Sequence, residues 1–182
     1  MVIADRIKSL RYDGTVTIAT GRSRKETQWK NRELLWSDLA KRLSETTRTS
    51  ETFEEYRKSP KSVQDNIKDV GGFVGGTLSG GRRRADAVAW RQILTLDADY
   101  VKGDFWASVE MMFDNACLIY STHSHSPKNP RIRLVIPLAR PITADEYQAV
   151  SRRVAADLGI DFFDDTTYEA HRLMYWPSTS KD

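Results

Sequence analysis

Two aspartates separated by one residue, in the segment LTLDADY, form the strongest chemical feature of this 182-residue sequence. The apolar residues Ile93, Leu94 and Leu96 lead into Asp97 and Asp99. On an extended chain these two lie on the same side, with Cα atoms about 6 to 7 Å apart, so both reach one metal site. At that separation two carboxylates repel by roughly 2 to 3 kcal/mol at an effective dielectric near 20, and a partly buried pair is tolerated mainly with a cation present. Oxygen ligands select Mg2+ or Mn2+. With 16 aspartates in 182 positions, about one Asp-x-Asp pair arises by chance, so the pair is singled out by its position at the end of the most apolar strand.

Two further clusters follow. In YSTHSHSPKNPRIRL, Ser121, His123 and His125 leave one strand while Arg131 and Arg133 return on the next, so polar and cationic groups converge on the side of the sheet that holds the aspartates. His-Ser-His without cysteine is a weak zinc signal, and His123 better suits a phosphate contact. In DFFDDTTYEAHRLMYWPST, Asp161, Asp164 and Asp165 precede a strand carrying Arg172. An acidic residue there completes the ligand set of an in-line phosphoryl transfer. The same run is equally a helix-to-strand turn rich in turn formers.

These residues need a scaffold, and from residue 90 its pattern is sharp. WRQILTLDADY reads as a strand, DFWASVEMMFDN as a helix, ACLIYSTH and RIRLVIPLA as strands, TADEYQAVSRRVAADLG as a helix and HRLMYWPS as a strand. The order βαββαβ is shared by RNA-recognition modules and many polymerase palms, so it does not select a function. Upstream, TVTIAT predicts a strand over residues 15 to 20 and GRSRKETQWKN a basic loop, with Asn31 capping a helix that buries Leu34, Leu35, Leu39 and Leu43. Residues 45 to 62 read as exposed, with a short helix around FEEYRKS. Six of the ten glycines fall in GGFVGGTLSGG, residues 71 to 81, which matches neither a Walker A nor a Rossmann spacing. It is a flexible hairpin or a phosphate- or template-handling loop backed by the adjacent arginines.

With 40% hydrophobic residues the chain fits one compact domain or two tightly joined lobes. Cys117, the single cysteine, sits in ACLIY and reads as a buried core residue, which excludes a disulfide framework or thiolate zinc cluster. No apolar run approaches the roughly 20 residues of a membrane helix, and MVIADRIKSLRYDG lacks a signal-peptide core, so a cytoplasmic location is expected. Net charge is only +3, but Arg22, Arg24, Lys25, Lys30 and Arg32 form one basic cluster and Arg82, Arg83 and Arg84 another. Such clusters suit phosphate-bearing partners or plain solvated surface.

Together, LTLDAD, STH and FDDTTYEAHRLMYWPS resemble the three motifs of archaeo-eukaryotic primases: Asp-x-Asp, Ser-x-His and a late acidic residue. The likeness is to the primase-polymerase branch of phages, plasmids and mobile islands, especially the N-terminal region of virulence-associated protein E-like replication proteins. It covers residues 70 to 182 well and the first 70 poorly. The resemblance implies an α+β archaeo-eukaryotic primase fold, with an RNA-recognition-like βαββαβ catalytic lobe over 90–182 and a smaller N-terminal α/β lobe over 1–89, together one primase-polymerase domain. It implies Asp97 and Asp99 as ligands of Mg2+ or Mn2+, and Ser121 and His123, with His125 nearby, at the nucleotide phosphates. Relatives often read aspartate, three residues, tyrosine, three residues, arginine. Asp164, Tyr168 and Arg172 fit that spacing, which makes Asp164 the third ligand and Asp165 its alternate. Asp97, Asp99, Asp164 and His123 would be catalytic. Arg131, Arg133 and Arg172 would contact the triphosphate of an NTP or dNTP. Arg22, Arg24, Lys25, Lys30 and Arg82 to Arg84 would meet a single-stranded DNA template, with Trp29 stacking a base. The family usually adds a helicase-like region, for which this chain has no room, so an excised domain is expected.

Two other classes compete. One is a non-catalytic single-stranded nucleic-acid-binding module on the same scaffold, although the chain lacks the aromatic strand motif of RNA-recognition modules. The other is a rolling-circle initiator with paired metal-binding histidines and Tyr147 or Tyr168 as nucleophile, although that class wants an apolar residue where Ser124 stands.

Overall fold

The computed structural model describes residues 13–182, so the N-terminal segment read for a signal peptide lies almost wholly outside the described residues. The architecture is α+β, with antiparallel pairing throughout its two larger sheets. The first sheet begins with β1 (Thr15–Gly21) and β2 (Lys30–Leu35). The short strand β3 (Thr47–Arg48) follows, then β4 (Gly72–Val74) and β5 (Gly76–Leu78). The long strand β6 (Val88–Ala98) and the strands β7 (Leu118–Ser121) and β8 (Ile132–Ile142) come next, followed by β9 (Met174–Tyr175) and β10 (Ser178–Thr179). The sheets have the orders β2-β1-β4-β9, β5-β6-β8-β7 and β10-β3.

Among the described residues, five α-helices brace these sheets. Helix α1 (Trp36–Ser44) buries Trp36, Leu39, Ala40 and Leu43. A capping box between Thr52 and Glu55 starts α2 (Phe53–Lys58), and α3 (Lys61–Ile67) follows Pro60. Asp104 caps α4 (Phe105–Met112) through the N–H of Ala107. A second capping box, Thr143 with Glu146, starts α5 (Ala144–Leu158), which Gly159 ends at φ +111°. Each cap satisfies N–H groups that the first helical turn leaves without partners.

Strand alternation divides β6 into two chemistries. Leu94, Leu96 and Ala98 join Leu134, Ile136, Val109 and Tyr147 in a core beneath α4 and α5. On the opposite face Ile93 joins Val16, Ile18, Phe73, Val135 and Met174 in a core shared with the first sheet and α1. Asp97 and Asp99 continue that second face past the core's edge.

Four expectations change. Asn31 does not cap a helix: residues 30–35 pair with β1, and the Asn31 carboxamide exchanges two hydrogen bonds with the backbone of Leu78, at 2.9 and 3.0 Å. Asp13 instead accepts the N–H of Ser37 in the first turn of α1. The glycine segment is not a flexible hairpin: residues 71 to 76 are buried, β4 and β5 part at Gly75 into different sheets, and only Ser79 and Gly80 of the segment are exposed. Finally, the last strand of the βαββαβ order leaves its sheet. Strand β5 already occupies the free edge of β6, so β9 pairs with β4. Cys117 lies half-buried at the margin of the α4–α5 core rather than inside it.

The glycines make both strand exchanges possible. A Cβ on Gly76 would stand 2.1 Å from the Trp90 carbonyl oxygen, and one on Gly72 2.3 Å from that of Met174. Gly76→Ala should therefore push β5 off β6 and cost about 2 to 3 kcal/mol in urea denaturation. An unchanged midpoint would mean that the corner tolerates what its geometry forbids.

A cationic cleft with an acidic floor

Between the two larger sheets lies a cleft of about 400 Å³. It is lined by seven basic side chains, Arg24, Lys61, Lys68, Arg83, Arg131, Arg133 and Arg172, and by four acidic ones, Asp97, Asp99, Asp164 and Glu169. The first sequence motif enters on β6. Asp97 is 6% exposed and lies opposite Arg133 on β8, whose Nε donates to its Oδ1 at 2.7 Å. Burial pulls against the Arg133 charge, yet Asp97 outweighs it and holds the guanidinium firmly protonated. Asp99 accepts from Arg131 at 3.0 Å.

The third motif meets the first through the backbone. Phe163 bridges Ala98, and the Asp164 N–H donates to the Asp97 carbonyl at 3.0 Å. Asp164 thus lines the cleft, whereas Asp165 is exposed outside it. Arg172 Nη2 stands 3.8 Å from Asp97 Oδ2 and 3.9 Å from Asp164 Oδ1. Burial pushes the Asp164 carboxyl up, but the Thr166 hydroxyl and N–H and the Arg172 charge outweigh it and leave it below the usual range. Asp99 moves the other way: burial, then the charges of Asp97 and Asp164, raise it against the pull of Arg131.

Around the second motif, alternation separates the residues. Tyr120 faces the cleft side and donates its hydroxyl to the Tyr175 carbonyl, so Ser121 points to the other face and is exposed outside the lining. Thr122, His123 and Ser124 take that wall instead. His123 is buried, with Nδ1 2.9 Å from Ser178 Oγ, Nε2 3.1 Å from Glu51 Oε1 and its ring 4.4 Å from that of Tyr56. A phosphate contact through His123 therefore requires one of these bonds to be exchanged. Burial lowers its affinity for a proton, more than Glu51 restores it. His125 accepts the Arg131 N–H through Nδ1 and lies outside the lining, so the two histidines do not converge.

The basic clusters also divide. Arg24 and Arg83 line the cleft, while Lys25, Arg82 and Arg84 are exposed outside it and Arg22 and Lys30 border a separate trough. Trp29 is 2% exposed, packed with Leu78 and Leu173 beneath the Arg83 guanidinium, and offers no face to a base. Tyr147 is fully buried with its hydroxyl on the Thr95 carbonyl, and Tyr168 is buried beneath Arg152, so neither is placed as a nucleophile. Sequence reasoning missed Glu51, Lys61, Lys68, Tyr175 and Ser178. For the lysines a signal existed, since positions 61 and 68 share one helical face with Asp65 between them.

Among the described residues, no group of three or more His, Cys, Asp or Glu side chains is arranged to hold a metal ion. The donor chemistry nevertheless fits a hard divalent cation: the carboxylates are oxygen donors, and the charges of Asp97 and Asp164 press on Asp99. Because the folded state raises the Asp99 carboxyl, the stability it contributes is present below its ordinary pKa and is lost as pH rises through the folded value. Asp99→Asn keeps an acceptor for Arg131 and removes the repelled charge. In metal-free buffer it should melt at or above the wild type near pH 7, with the difference closing toward about pH 4. A variant melting several degrees lower at pH 7 would show that Asp99 is a structural anchor rather than a strained one.

No curated protein matches the sequence. Among solved structures, the chain is similar to the AEP domain of the primase-polymerase of cyanophage S-2L, at 15% identity and a TM-score of 0.44 over 96% of this chain and 79% of that one. The family model described as the VapE N-terminal domain matches residues 3–182. Since that match takes in all three motifs, the chain belongs to the VapE N-terminal domain family.

Proposed function

We propose that the cleft binds the triphosphate of a nucleoside triphosphate and that the chain, acting as one catalytic unit, performs template-directed nucleotidyl transfer on single-stranded DNA as a primase or primase-polymerase. One observation carries the reading. The Nε atoms of Arg24, Arg83, Arg131 and Arg172 are buried without a hydrogen-bond acceptor, and all four residues line this one cleft. Buried guanidinium donors left open are costly, and a polyphosphate supplies the acceptors they lack.

In the reaction a primer 3′-hydroxyl attacks the α-phosphorus, a P–O bond forms, and the bond to the β-phosphate breaks with departure of pyrophosphate. Arg131, Arg172, Arg24 and Arg83 hold the phosphates and offset the charge that develops on them. Asp97, Asp99 and Asp164 are the residues that would hold Mg2+ or Mn2+, which when bound supplies Lewis-acid stabilisation and a more nucleophilic hydroxyl. Arg133 positions Asp97, and Glu51 with Ser178 orients His123 toward the same space. Membership of the VapE family supports a role in replication of a phage or mobile element, with a fused or associated helicase region as partner. Among the described residues no helix is long and apolar enough to cross a membrane.

The direct test is primer synthesis and primer extension on single-stranded DNA, with Mg2+ or Mn2+ and each nucleotide set. Wild type should give metal-dependent product, and Asp97→Ala/Asp99→Ala should lose at least about a hundredfold. Tight DNA binding by both with product from neither would leave a binding module. Independently, Arg172→Ala should weaken dATP binding by roughly tenfold or more in calorimetric titration while the melting temperature holds. Unchanged affinity would remove Arg172 from the phosphate site.

A further inference from the structure

Three polar side chains from distant parts of the sequence meet behind one wall of the cleft. The parallel ladder of β3 and β10 brings Glu51 and Ser178 together, one at each ring nitrogen of His123. Glu51 Oε1 accepts the hydroxyls of Thr49 at 2.7 Å and Ser180 at 3.2 Å, and stands 3.1 Å from His123 Nε2. Burial pushes the Glu51 carboxyl up, but the Thr49 hydroxyl, its own backbone N–H and His123 outweigh it and leave it below the usual range. Glu51 is therefore an ionised carboxylate, which accepts hydrogen bonds and donates none. It follows that His123 Nε2 carries a proton. In a neutral imidazole the other nitrogen is then bare, so Nδ1, 2.9 Å from Ser178 Oγ, accepts that hydroxyl's proton.

The surroundings keep the ring neutral. Its side chain is 2% exposed, and the Tyr56 ring lies against it at 4.4 Å. Of the charged groups that face it, Glu51 favours an imidazolium and Lys68 opposes one, and burial, the larger effect, tips the balance toward the neutral form. Ser178 thus spends its one proton on His123. What it presents at the cleft that it lines is an oxygen with lone pairs alone. Such an oxygen repels a phosphate and accepts from a hydroxyl. The phosphates have their donors elsewhere, on the open guanidinium groups of Arg24, Arg83, Arg131 and Arg172.

We propose that Ser178 determines sugar specificity by accepting a hydrogen bond from a ribose hydroxyl of the bound nucleotide, and that Glu51, acting through His123, is the positioning residue that fixes Ser178 as an acceptor. The inference rests on the nucleotide reading of the cleft. It places His123 behind the wall, setting the polarity of its neighbour, rather than at a phosphate. A ligand without the hydroxyl leaves the Ser178 oxygen dry and without a donor, which is the source of the discrimination. An imidazolium would reverse the relay: Nδ1–H would donate to Oγ, and the Ser178 proton would turn to the ligand.

The test is calorimetric titration of the whole chain with ATP, its 2′-deoxy and 3′-deoxy analogues and inorganic tripolyphosphate, joined to nitrogen NMR of the labelled histidines. Wild type should bind ATP about fivefold or more tighter than one of the two analogues, and the weaker analogue identifies the hydroxyl. Ser178→Ala should bring that pair within about twofold, with tripolyphosphate affinity held as evidence that the cleft is intact. Near neutral pH the His123 ring should carry its proton on Nε2, with Nδ1 bare. Glu51→Ala should lose both this signature and the discrimination, and Glu51→Gln, whose amide oxygen still accepts, should keep them. Tripolyphosphate binding without discrimination between ATP and its analogues, discrimination that survives Ser178→Ala, or an Nδ1–H or doubly protonated ring overturns this inference alone. Binding of neither ATP nor tripolyphosphate overturns the nucleotide reading, and this inference with it.

Discussion

Asp97 and Arg133 face one another across β6 and β8 at 2.7 Å, with side chains 8% and 9% exposed. Neither charge is affordable there without the other, since removing one partner of a buried pair typically costs about 3 to 5 kcal/mol. The pair also reaches beyond its own sheet. Arg133 Nη1 donates to the Tyr175 carbonyl at 3.0 Å, so the guanidinium holds the last strand of the first sheet against the second. The third motif is placed relative to this bond: Asp164 through the Asp97 carbonyl, and Arg172 through both carboxylates.

A second buried arginine performs the same service for the frame. Arg91 is 0% exposed and stands in no ion pair among the described residues; it donates to the carbonyls of Gly75, Ile93 and Ala170 and to the Thr95 hydroxyl, over the Tyr147 ring at 4.0 Å. It thereby pins the corner where the two larger sheets part and the loop that leads to Arg172. The two arginines divide the work, Arg91 fixing the glycine corner and Arg133 fixing the carboxylate.

What the sequence made legible was local. The alternation that puts Asp97 and Asp99 on one side is a property of any strand, and it places both in the cleft. The same rule, applied to Tyr120 and Ser121, separates the two, so the outward orientation of Ser121 was available from spacing once Tyr120 is known to be buried. The family spacing to Tyr168 and Arg172 singled out Asp164 over Asp165, whereas the backbone bond to Asp97 that sets Asp164 in the cleft wall is something no spacing encodes. Nor does spacing encode the destination of the final strand: HRLMYWPS looks the same whichever edge it joins, and β5 decides the matter by filling β6 first. Glu51 was illegible for a related reason. A polar residue in a polar stretch becomes a partner of His123 only when β3 and β10 are brought side by side.

The strand exchange between the sheets also governs how the molecule comes into being. The first sheet begins with a hairpin at Thr15 but receives its last member only at Met174, and β3 waits for Ser178 to form its parallel ladder. Pairings so distant along the chain must close long loops before they return any energy, which makes assembly slow and late. During synthesis the N-terminal hairpin and the glycine corner emerge with open edges, and the second sheet can zip before the first is complete. The wall carried by the second sheet can thus form ahead of the other, and the cleft is complete only once the segment from Met174 to Thr179 has joined β4 and β3.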